Sequence, residues 1–356
     1  MVPRQQVRQI VVILCGHDAT MAPVNRKPFA ALLLALAGSM ALAAAEPGDG
    51  AAIPASDPPT ASAPPAVPVD SDITEIVIQA PEPRYVAPTR RDQIGRIWAP
   101  VYINGKGPFR LVLDTGASRS GVTGKVAATL GLTPDASSSV TLRAVTGSAT
   151  VPTIRVDTLE VGDILIKDSK LPILADALGG AEGILGNEGL AERRVYIDFR
   201  HDLIIISRSQ GRAAAPGFMT IPFTLEHGRL LVAGVQLGLV HAKAIIDTGG
   251  QISVANFALR DALLGRRHRG PLSVDQIEGV TNQVQEGEGR RVPPIQFGPI
   301  QIHTQHMTFA DVRIFEYWKM TREPALLIGM DALGLLDTLI IDYRRHELQL
   351  RMRDER

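Results

Sequence analysis

The chain has 356 residues, enough for two domains with buried cores, because single domains usually span about 100–200 residues. Its 37 basic and 37 acidic side chains cancel, and aromatic residues make up only 4% of the sequence. The balanced charge argues against nucleic acid as the main partner. The shortage of aromatic rings argues against binding by stacking on bases or sugars.

An export leader is predicted at residues 1–45. A basic pair at positions 26–27 precedes an apolar run at 29–42, and small residues lie just before a cleavage point at Glu46. We expect initiation at Met21 and a periplasmic or secreted product. An uncleaved leader that anchors the chain in a membrane is the lesser alternative, because the apolar run is barely long enough to span a bilayer.

A tether and a strand follow the leader. Residues 46–72 consist largely of Ala, Pro, Ser and Asp, which bury too little apolar surface to offset the entropy of ordering. This segment is therefore predicted to be disordered. The alternation within Ile73–Ile78 predicts a strand.

The rest of the chain repeats itself. Each copy is predicted to contain two strands around a turn, Asp-Thr-Gly, a short capped helix, a hairpin, further strands, an apolar-apolar-Gly element and a closing strand around an acid. The matching segments are 101–113 and 232–246, "GKVAATLGL" after Thr123 and "FALRDALLG" after Asn256, 142–151 and 277–287, "LEVGDILI" and "IQFGPIQI", "GILG" and "LLIG", and "VYIDFRHDLIII" and "LIIDYRRHELQL". We predict an all-β, bilobal fold whose β-barrel-like lobes, at 73–210 and 211–356, are related by a pseudo-twofold axis and each carry a short helix.

The spacing between the two copies locates an insertion. The offset is 133 residues between the two Asp-Thr-Gly motifs, 136 between Gly162 and Gly298, and 143 between Gly186 and Gly329. The second copy therefore has seven additional residues before Gly329, in the region of "VRIFEYWKMTRE".

Both copies of Asp-Thr-Gly follow an apolar strand and precede a helix. A single Asp-Thr-Gly is most simply a turn that ends a strand, but its repetition in one context favours a paired function. If the turns meet on the axis, Asp114 and Asp247 lie within hydrogen-bonding reach and share one proton, because two adjacent carboxylates do not both ionise cheaply. Such a pair, called the dyad below, can activate a water molecule and polarise a carbonyl group.

The residues after each Asp have predicted supporting roles. Gly116 and Gly249 let the backbone approach the carboxylates without an intervening Cβ. The hydroxyl groups of Thr115 and Thr248 can reach across the axis to the opposite loop. These contacts would lock the geometry of the dyad from beneath.

This pattern of apolar-apolar-Asp-Thr-Gly-Ala, a hairpin, and then apolar-apolar-Gly with a short helix resembles the retropepsin-like aspartic proteases over about residues 95 to 350. Two copies in one exported chain look like the bacterial periplasmic members and, in bilobal outline, like pepsin. The resemblance implies an acid-protease fold in which Asp114 and Asp247 are catalytic. By the same resemblance, Gly186 and Gly329 support the turns, and the flaps over the substrate are Val145, Thr146 and Gly147 in one lobe and Val280, Thr281 and Asn282 in the other.

The sequence departs from the pepsin pattern in two places. Ala117 and Gly250 stand where pepsin-type enzymes have Ser or Thr, whose hydroxyl helps to keep the carboxylate ionised. The dyad should therefore titrate at higher pH, and activity should peak in weakly acidic to near-neutral solution. The first hairpin also has no Tyr, and Gly147 indicates a flexible tip.

Other candidate sites carry weaker signals. His303 and His306 could bind a metal, but a three-residue spacing does not place both on one face of a strand, and the only cysteine, Cys15, lies in the leader. The basic cluster at 266–269 is best explained as the solvated end of a helix, with an anionic docking patch as the alternative.

Two further alternatives have little support. Asp198 and Asp342 also repeat between the lobes, but each is expected mid-strand and in a structural role. No Gly-x-Ser-x-Gly motif is present, and no His fits Ser118 or Ser120 as the base of a serine hydrolase. The order of residues in "NGKGPF" does not match a phosphate-binding loop.

Together these features predict a monomeric, exported aspartic endopeptidase that needs no cofactor or metal. Its substrate would be a polypeptide bound in extended form, because hairpins over a cleft select strands through backbone hydrogen bonds. The main alternative is a non-catalytic peptide-binding or regulatory protein of the same fold. A metal-dependent hydrolase is the least favoured class.

Overall fold

The computed structural model describes residues 6–9, 96–176, 178–227, 230–265, 273–303 and 306–353, all within one compact unit. The tether, the strand predicted at 73–78, the basic cluster at 266–269 and most of the leader lie outside the described residues. Within the leader, β1 (Gln6–Gln9) is described as a strand that pairs in parallel with one edge of the second lobe. Among the helices that are described, none is long and apolar enough to cross a membrane.

The first lobe is a seven-stranded sheet with one helix. In the order β2-β3-β8-β4-β7-β6-β5 neighbouring strands pair, and β2 also pairs with β6, which curls the sheet into a barrel. The elements of this lobe, including two strands that leave the barrel, are β2 (Trp98–Ile103), β3 (Lys106–Leu113), β4 (Gly121–Thr123), α1 (Gly124–Leu130), β5 (Asp135–Arg143), β6 (Ser148–Val161), β7 (Ile164–Leu174), β8 (Gly183–Leu185), β9 (Arg193–Asp198) and β10 (Leu203–Arg208).

The second lobe repeats this plan with more, shorter strands. Its sheet has the order β1-β16-β17-β20-β15-β21-β14-β13-β18-β19, with β12 paired to β13. The elements are β11 (Met219–Pro222), β12 (Thr224–Glu226), β13 (Leu230–Leu237), β14 (Val240–Ile246), β15 (Val254–Ala255), α2 (Phe257–Leu264), β16 (Ser273–Glu278), β17 (Val284–Arg290), β18 (Ile295–Phe297), β19 (Ile300–Ile302), β20 (Met307–Phe309), α3 (Arg313–Tyr317), β21 (Ala325–Ile328), α4 (Met330–Leu333), β22 (Leu336–Asp342) and β23 (Glu347–Met352).

The two lobes have the same strand pairing around Asp-Thr-Gly. β3 pairs in parallel with β8, and β14 pairs in parallel with β21. β4 and β15 run antiparallel to the same short partners, β8 and β21. Each apolar-apolar-Gly element therefore lies between the strand that ends in Asp-Thr-Gly and the strand that leads to the helix. The predicted all-β, bilobal fold is confirmed.

A third sheet, in the order β10-β9-β22-β23-β11, joins the lobes through the antiparallel pairing of β9 with β22. The prediction that Asp198 and Asp342 lie mid-strand is wrong, because each is the last residue of its strand and a hairpin turn follows. Oδ1 of Asp198 accepts the N–H groups of Arg200 and His201, both at 2.9 Å, and Oδ1 of Asp342 accepts the N–H of Arg345 at 3.1 Å. Each acid therefore stabilises the hairpin turn that follows its own strand.

Each lobe has its short helix at the predicted place, but only one helix has the predicted side-chain cap. Oδ1 of Asn256 accepts the N–H of Leu259 at 2.9 Å at the start of α2. Thr123 occupies the N-cap position of α1, yet its side chain makes no capping bond. Thr123 is also the last residue of β4, and its N–H donates to the carbonyl of Glu182 at 2.9 Å. Backbone pairing, not a side-chain cap, therefore sets the start of α1.

Buried apolar side chains form two clusters. The larger is continuous through both lobes and the joining sheet, with Leu111, Ile246 and Leu339 among its members. The smaller surrounds the Asp-Thr-Gly turns and the hairpin tips, and includes Ala117 and Val145. Each fully buried aliphatic side chain contributes about 1.5–3 kcal/mol to the free energy of unfolding, so this continuous core holds the lobes together as one body.

Candidate active site

The two Asp-Thr-Gly turns begin where β3 and β14 end. The N–H of Asp114 donates to the carbonyl of Leu185 at 3.0 Å, and the N–H of Asp247 donates to the carbonyl of Ile328 at 3.0 Å. These bonds tie each Asp to the apolar-apolar-Gly strand of its own lobe. Both acids are buried, with exposed fractions of 0% for Asp114 and 1% for Asp247.

Thr115 and Thr248 join the two turns across the lobes. The hydroxyl of Thr115 donates to the carbonyl of Ile246 at 2.6 Å, and that of Thr248 donates to the carbonyl of Leu113 at 2.7 Å. Each hydroxyl also accepts the backbone N–H of the other threonine at 3.1 Å. All four bonds are buried, so breaking one leaves a desolvated polar group without a partner. This symmetric interlock fixes the position of one turn relative to the other.

Backbone N–H groups orient the two carboxylates. The inner oxygen, Oδ1, of Asp114 accepts the N–H of Gly116 at 2.9 Å. Oδ1 of Asp247 accepts the N–H groups of Gly249 and Gly250 at 3.0 and 2.9 Å. The side chains of Asp114 and Asp247 hydrogen-bond to each other, and this bond lowers the pKa of Asp247. Their Oδ2 atoms are buried, and neither accepts a hydrogen bond from an N–H group or a hydroxyl in the part of the chain that the structure describes. Buried carboxylate oxygens are costly in this state unless a proton or a ligand satisfies them.

Burial raises the pKa of both acids. The pKa of Asp114 lies well above its usual range, because burial and then repulsion from Asp247 outweigh the N–H of Gly116. Burial raises the pKa of Asp247 to about 7, opposed by the N–H groups of Gly250 and Gly249. Because the two carboxyl groups interact, they titrate as a pair, and near neutral pH the pair loses its first proton and retains the second.

The first lobe also matches a known protein family. Residues 99–192, from β2 to the residue before β9, match the family described as gag-polyprotein putative aspartyl protease. These residues are therefore similar to the retropepsin-like aspartyl proteases. The match supports a proteolytic function in general. No curated protein matches the chain. The second lobe lies outside the matched range and is related to the first lobe through the internal repeat and the shared strand pairing.

Sequence reasoning missed Arg96, which lies three residues before the matched range. Its side chain is fully buried, and Nη2 donates to the carbonyl of Leu178 at 2.6 Å. The positive charge of Arg96 lowers the pKa of both Asp114 and Asp247, although burial of each acid has the larger, opposite effect. Arg96 therefore favours the state in which one carboxylate is ionised. The local sequence "GRIWAP" carries no sign of this role, which depends on tertiary position.

Gly186 and Gly329 end the apolar-apolar-Gly elements of the first and second lobes. At both positions the backbone passes very close behind the Asp-Thr-Gly turn. A Cβ on Gly186 would be 2.5 Å from the carbonyl carbon of Arg119, and a Cβ on Gly329 would be 2.6 Å from the carbonyl carbon of Ile252. Real Cβ atoms do not approach backbone atoms this closely. Only glycine fits at either position without moving the turn.

We expect Gly186→Ala and Gly329→Ala each to lower the free energy of unfolding by roughly 2–3 kcal/mol, because the added methyl group overlaps backbone that cannot rotate away. Urea unfolding would measure the loss. Gly234→Ala is the matched control, since a Cβ there meets no atom within 4 Å. Equal stabilities for all three variants would contradict the assigned packing.

A serine and an acid behind each turn form a second repeated pair that sequence reasoning missed. The hydroxyl oxygens of Ser120 and Ser253 accept the N–H groups of the two supporting glycines at 3.0 and 3.1 Å. The N–H of Ser120 donates to the carboxylate of Glu188, while Ser253 donates its N–H and hydroxyl to Asp331 at 3.0 and 2.7 Å. Each serine is six residues after its Asp and each acid two residues after its Gly, so the repeat already contained this signal.

The predicted flap residues lie at the tips of the β5–β6 and β16–β17 hairpins. Val145 and Val280 are buried in the same apolar cluster as Ala117 and Ile252, which follow the two Asp-Thr-Gly motifs. The two hairpins, one from each lobe, therefore pack onto the turns that carry the dyad. Both acids are inaccessible to solvent in this closed arrangement.

The two hairpin tips also contact each other. A Cβ on Gly279 would lie 2.7 Å from the hydroxyl oxygen of Thr146, and a Cβ on Gly147 would lie 1.3 Å from Oε1 of Gln283. Gly147 is thus packed against the side chain of Gln283. In this closed conformation a residue of the other lobe fills the space beside Gly147. The flexibility expected of this tip stays a prediction.

The tip of the second hairpin is a tight turn. Asn282 has a left-handed φ of 58°, and its N–H donates to the carbonyl of Gly279 at 3.0 Å. The hydroxyl groups of Thr281 and Thr146 are buried and have no hydrogen-bond partner within the described ranges. Each hairpin tip therefore carries one buried hydroxyl without a partner among the described residues.

The two histidines considered as metal ligands have separate surroundings. Nε2 of His306 lies 2.7 Å from Oδ2 of Asp275, which also accepts the hydroxyl of Thr308 at 2.6 Å. His303 is exposed. Over the described residues, no three His, Cys, Asp or Glu side chains are grouped so that they could hold a metal ion.

Proposed function

We propose that the protein is an aspartic endopeptidase in which Asp114 and Asp247 activate a water molecule. The observation that carries this proposal is the pair of buried carboxyl groups on two symmetric turns, which hydrogen-bond to each other and whose Oδ2 atoms accept no N–H or hydroxyl group of the described residues. Their pKa values are raised by burial, which allows the pair to hold one proton near neutral pH. A half-protonated carboxyl pair provides an acid and a base side by side.

The reaction follows from this protonation state. The ionised carboxylate takes a proton from a water molecule, and the water oxygen bonds to the scissile carbonyl carbon. The protonated carboxyl group donates a hydrogen bond to the carbonyl oxygen, which stabilises the tetrahedral intermediate. When the intermediate collapses, the C–N bond breaks and a proton passes from the dyad to the departing amine. The dyad again holds one proton at the end of the cycle.

The substrate proposed here is a polypeptide in extended form. Two hairpins close over the dyad, and each tip has a buried hydroxyl, on Thr146 or Thr281, that lacks a partner in the described part of the chain. An extended backbone offers carbonyl and N–H groups at regular spacing to such donors and acceptors. Because a single chain supplies both Asp-Thr-Gly turns, a monomer forms the complete site. No cofactor or metal takes part in the proposed reaction.

The proposed location is the periplasm or the extracellular space. It rests on the predicted leader at residues 1–45, with its basic pair, apolar run and small residues before Glu46. Retention of that leader would instead attach the protein to a membrane.

One observation favours the alternative of a peptide-binding or regulatory protein without hydrolysis. The carboxyl groups of Asp114 and Asp247 are 0% and 1% exposed beneath contacting hairpin tips. A protein that never opened this site would be inert. Cleavage by the purified, folded protein distinguishes the two functions.

We expect cleavage of an unfolded polypeptide at near-neutral pH, with activity falling on the acid side with an apparent pKa near 7. Burial raises the pKa of Asp247 to about 7, and the dyad must lose one of its two protons before it can act as a base. Initial rates across pH, with and without a chelator, test this expectation. A maximum in strong acid would contradict it, loss of activity with chelator would indicate a metal-dependent hydrolase, and no cleavage by folded protein would favour the binding function.

A further inference from the structure

The seven-residue insertion of the second lobe forms a structure with no counterpart in the first. It contains α3 (Arg313–Tyr317), which lies between β20 and β21. Its apolar side chains are at most 1% exposed and belong to the cluster that also contains Val145 and Val280 of the hairpin tips; they are Val312, Ile314, Phe315, Trp318 and Met320. The insertion is thus part of the apolar packing around the dyad.

The insertion contacts the hairpin of the first lobe through three interactions. The backbone N–H of Ile314 donates to the carbonyl of Val145 at 3.3 Å. The guanidinium group of Arg143 lies 4.3 Å from the ring centroid of Tyr317, and its Nη1 donates to the Tyr317 hydroxyl at 3.3 Å. Arg143 is the last residue of β5, two residues before Val145. Its contact with Tyr317 therefore fixes the strand end from which the hairpin tip extends.

The same insertion is tied to the second hairpin. Nε2 of Gln285 donates to the carbonyl of Asp311 at 3.0 Å, just before the insertion. Two residues earlier, Gln283 packs against Gly147 of the first hairpin. Both tips are therefore held in one assembly with the insertion.

An open space lies beside the junction of the first hairpin and the insertion. This cavity of about 420 Å³ is lined among others by Arg143, Gly147, Ser148, Gln283, Glu316 and Tyr317. The first hairpin is therefore not packed against other residues on that side. The Arg143–Tyr317 stack and the Ile314–Val145 hydrogen bond link it to the insertion, in addition to the apolar cluster that contains Val145.

A polypeptide cannot reach Asp114 or Asp247 unless the hairpins move, since both acids are buried in the closed state. After substrate binds, the first hairpin must close again to exclude water and contact the peptide. The first hairpin has no Tyr of its own, whereas Tyr317 reaches it from the other lobe.

We propose that the insertion is a clasp that sets the closed position of the first hairpin, with Arg143 and Tyr317 as positioning residues. This inference rests on the proposed endopeptidase function. Weakening the clasp shifts the hairpin towards its open position, so less of the substrate-bound enzyme is closed. Substrate binding then weakens, while the chemistry of the dyad is unchanged once the hairpin has closed.

Hydrogen exchange of the Ile314 amide reports directly on the clasp, because that N–H is bonded to Val145 in the closed state. We expect Arg143→Met and Tyr317→Leu each to speed this exchange about tenfold, since each removes the cation–π contact and the side-chain hydrogen bond. Tyr317→Phe keeps the ring and should speed exchange by no more than about threefold. Arg313→Met is the matched control, because Arg313 lies on the same helix and its guanidinium group pairs with Glu316 of that helix at 3.0 Å.

Kinetics test the consequence of the loosened hairpin. We expect KM to rise about tenfold and kcat to change by less than about twofold in Arg143→Met and in Tyr317→Leu, which is the signature of lost substrate binding. The double variant should be no worse than either single variant, because one contact is lost in all three. Unchanged Ile314 exchange, additive effects, or a lower kcat with unchanged KM and a lower Tm would each overturn the proposal. The exchange experiment needs no activity, so it judges the clasp even if the protein does not cleave peptides.

Discussion

Asp114→Asn and Asp247→Asn are each expected to lower kcat/KM for polypeptide cleavage by about 10³–10⁴-fold. An amide cannot take a proton from water, and the remaining carboxyl group cannot be acid and base at once. Combining the two substitutions should add little, because the acids act as one unit that shares a proton. Peptide cleavage measured with equal amounts of folded protein provides the comparison.

The control for this experiment is Asp157→Asn, which makes the same chemical change at an exposed position of β6. Its kcat/KM should remain within about twofold of the starting protein. Substantial cleavage by either dyad variant would contradict the proposed mechanism, since it requires both carboxyl groups of the dyad. The unfolding midpoints of all variants should be recorded alongside, so that loss of fold is not mistaken for loss of chemistry.

The repeat accounts for most of what the sequence could predict. It placed Asp114 and Asp247 at equivalent strand ends, and it located the two hairpins and the two short helices. It also predicted the all-β, bilobal fold, because paired elements in the same order require lobes of the same topology. The serine and acid behind each turn were equally visible in the repeat, as Ser120 with Glu188 and Ser253 with Asp331, but short polar residues in a loop suggest no function until a glycine is seen to pack against them.

The errors have two physical causes. The hairpin turns after Asp198 and Asp342 contain no glycine, and the left-handed positions are taken by Asp202, with φ of 50°, and His346, with φ of 55°. Residues with side chains rarely adopt this conformation, so the turns gave no local signal and each pair of strands looked like one. The other cause is distance along the chain: the effect of Arg96 on the dyad depends on folding that a local pattern does not describe.

The features that fix and bury the dyad also make its ionisation unfavourable. Four hydrogen bonds of Thr115 and Thr248 fix the turns, and the hairpin tips remove water from the carboxyl groups. Removing water raises the pKa of both acids, which keeps a proton on the pair but disfavours the ionised state. The folded protein must therefore be less stable at a pH where it has to ionise a buried acid.

Asp247→Asn is therefore expected to stabilise the fold above neutral pH while abolishing cleavage. The pKa of Asp247 is about 7 in the folded protein, and that of an aspartate in an unfolded chain is about 4. Between these values the native state keeps a proton that the unfolded chain has released, so the free energy of unfolding falls as pH rises through this window. Three pKa units correspond to roughly 4 kcal/mol, which is an upper value for this single group.

Asparagine carries no charge at any pH, so the free energy of unfolding of Asp247→Asn does not fall through this pH window for this reason. Urea unfolding at pH 4 and pH 8 should therefore show nearly equal stabilities for Asp247→Asn and the starting protein in acid, and a variant that is more stable by about 2–4 kcal/mol in mild base. Asp114 contributes in the same direction, because removing the charge of Asp247 also removes the repulsion that raises the pKa of Asp114. A variant that loses stability relative to the starting protein as pH rises would mean that Asp247 is ionised and well paired in the native state. The dyad would then lack the shared proton on which the proposed hydrolysis depends.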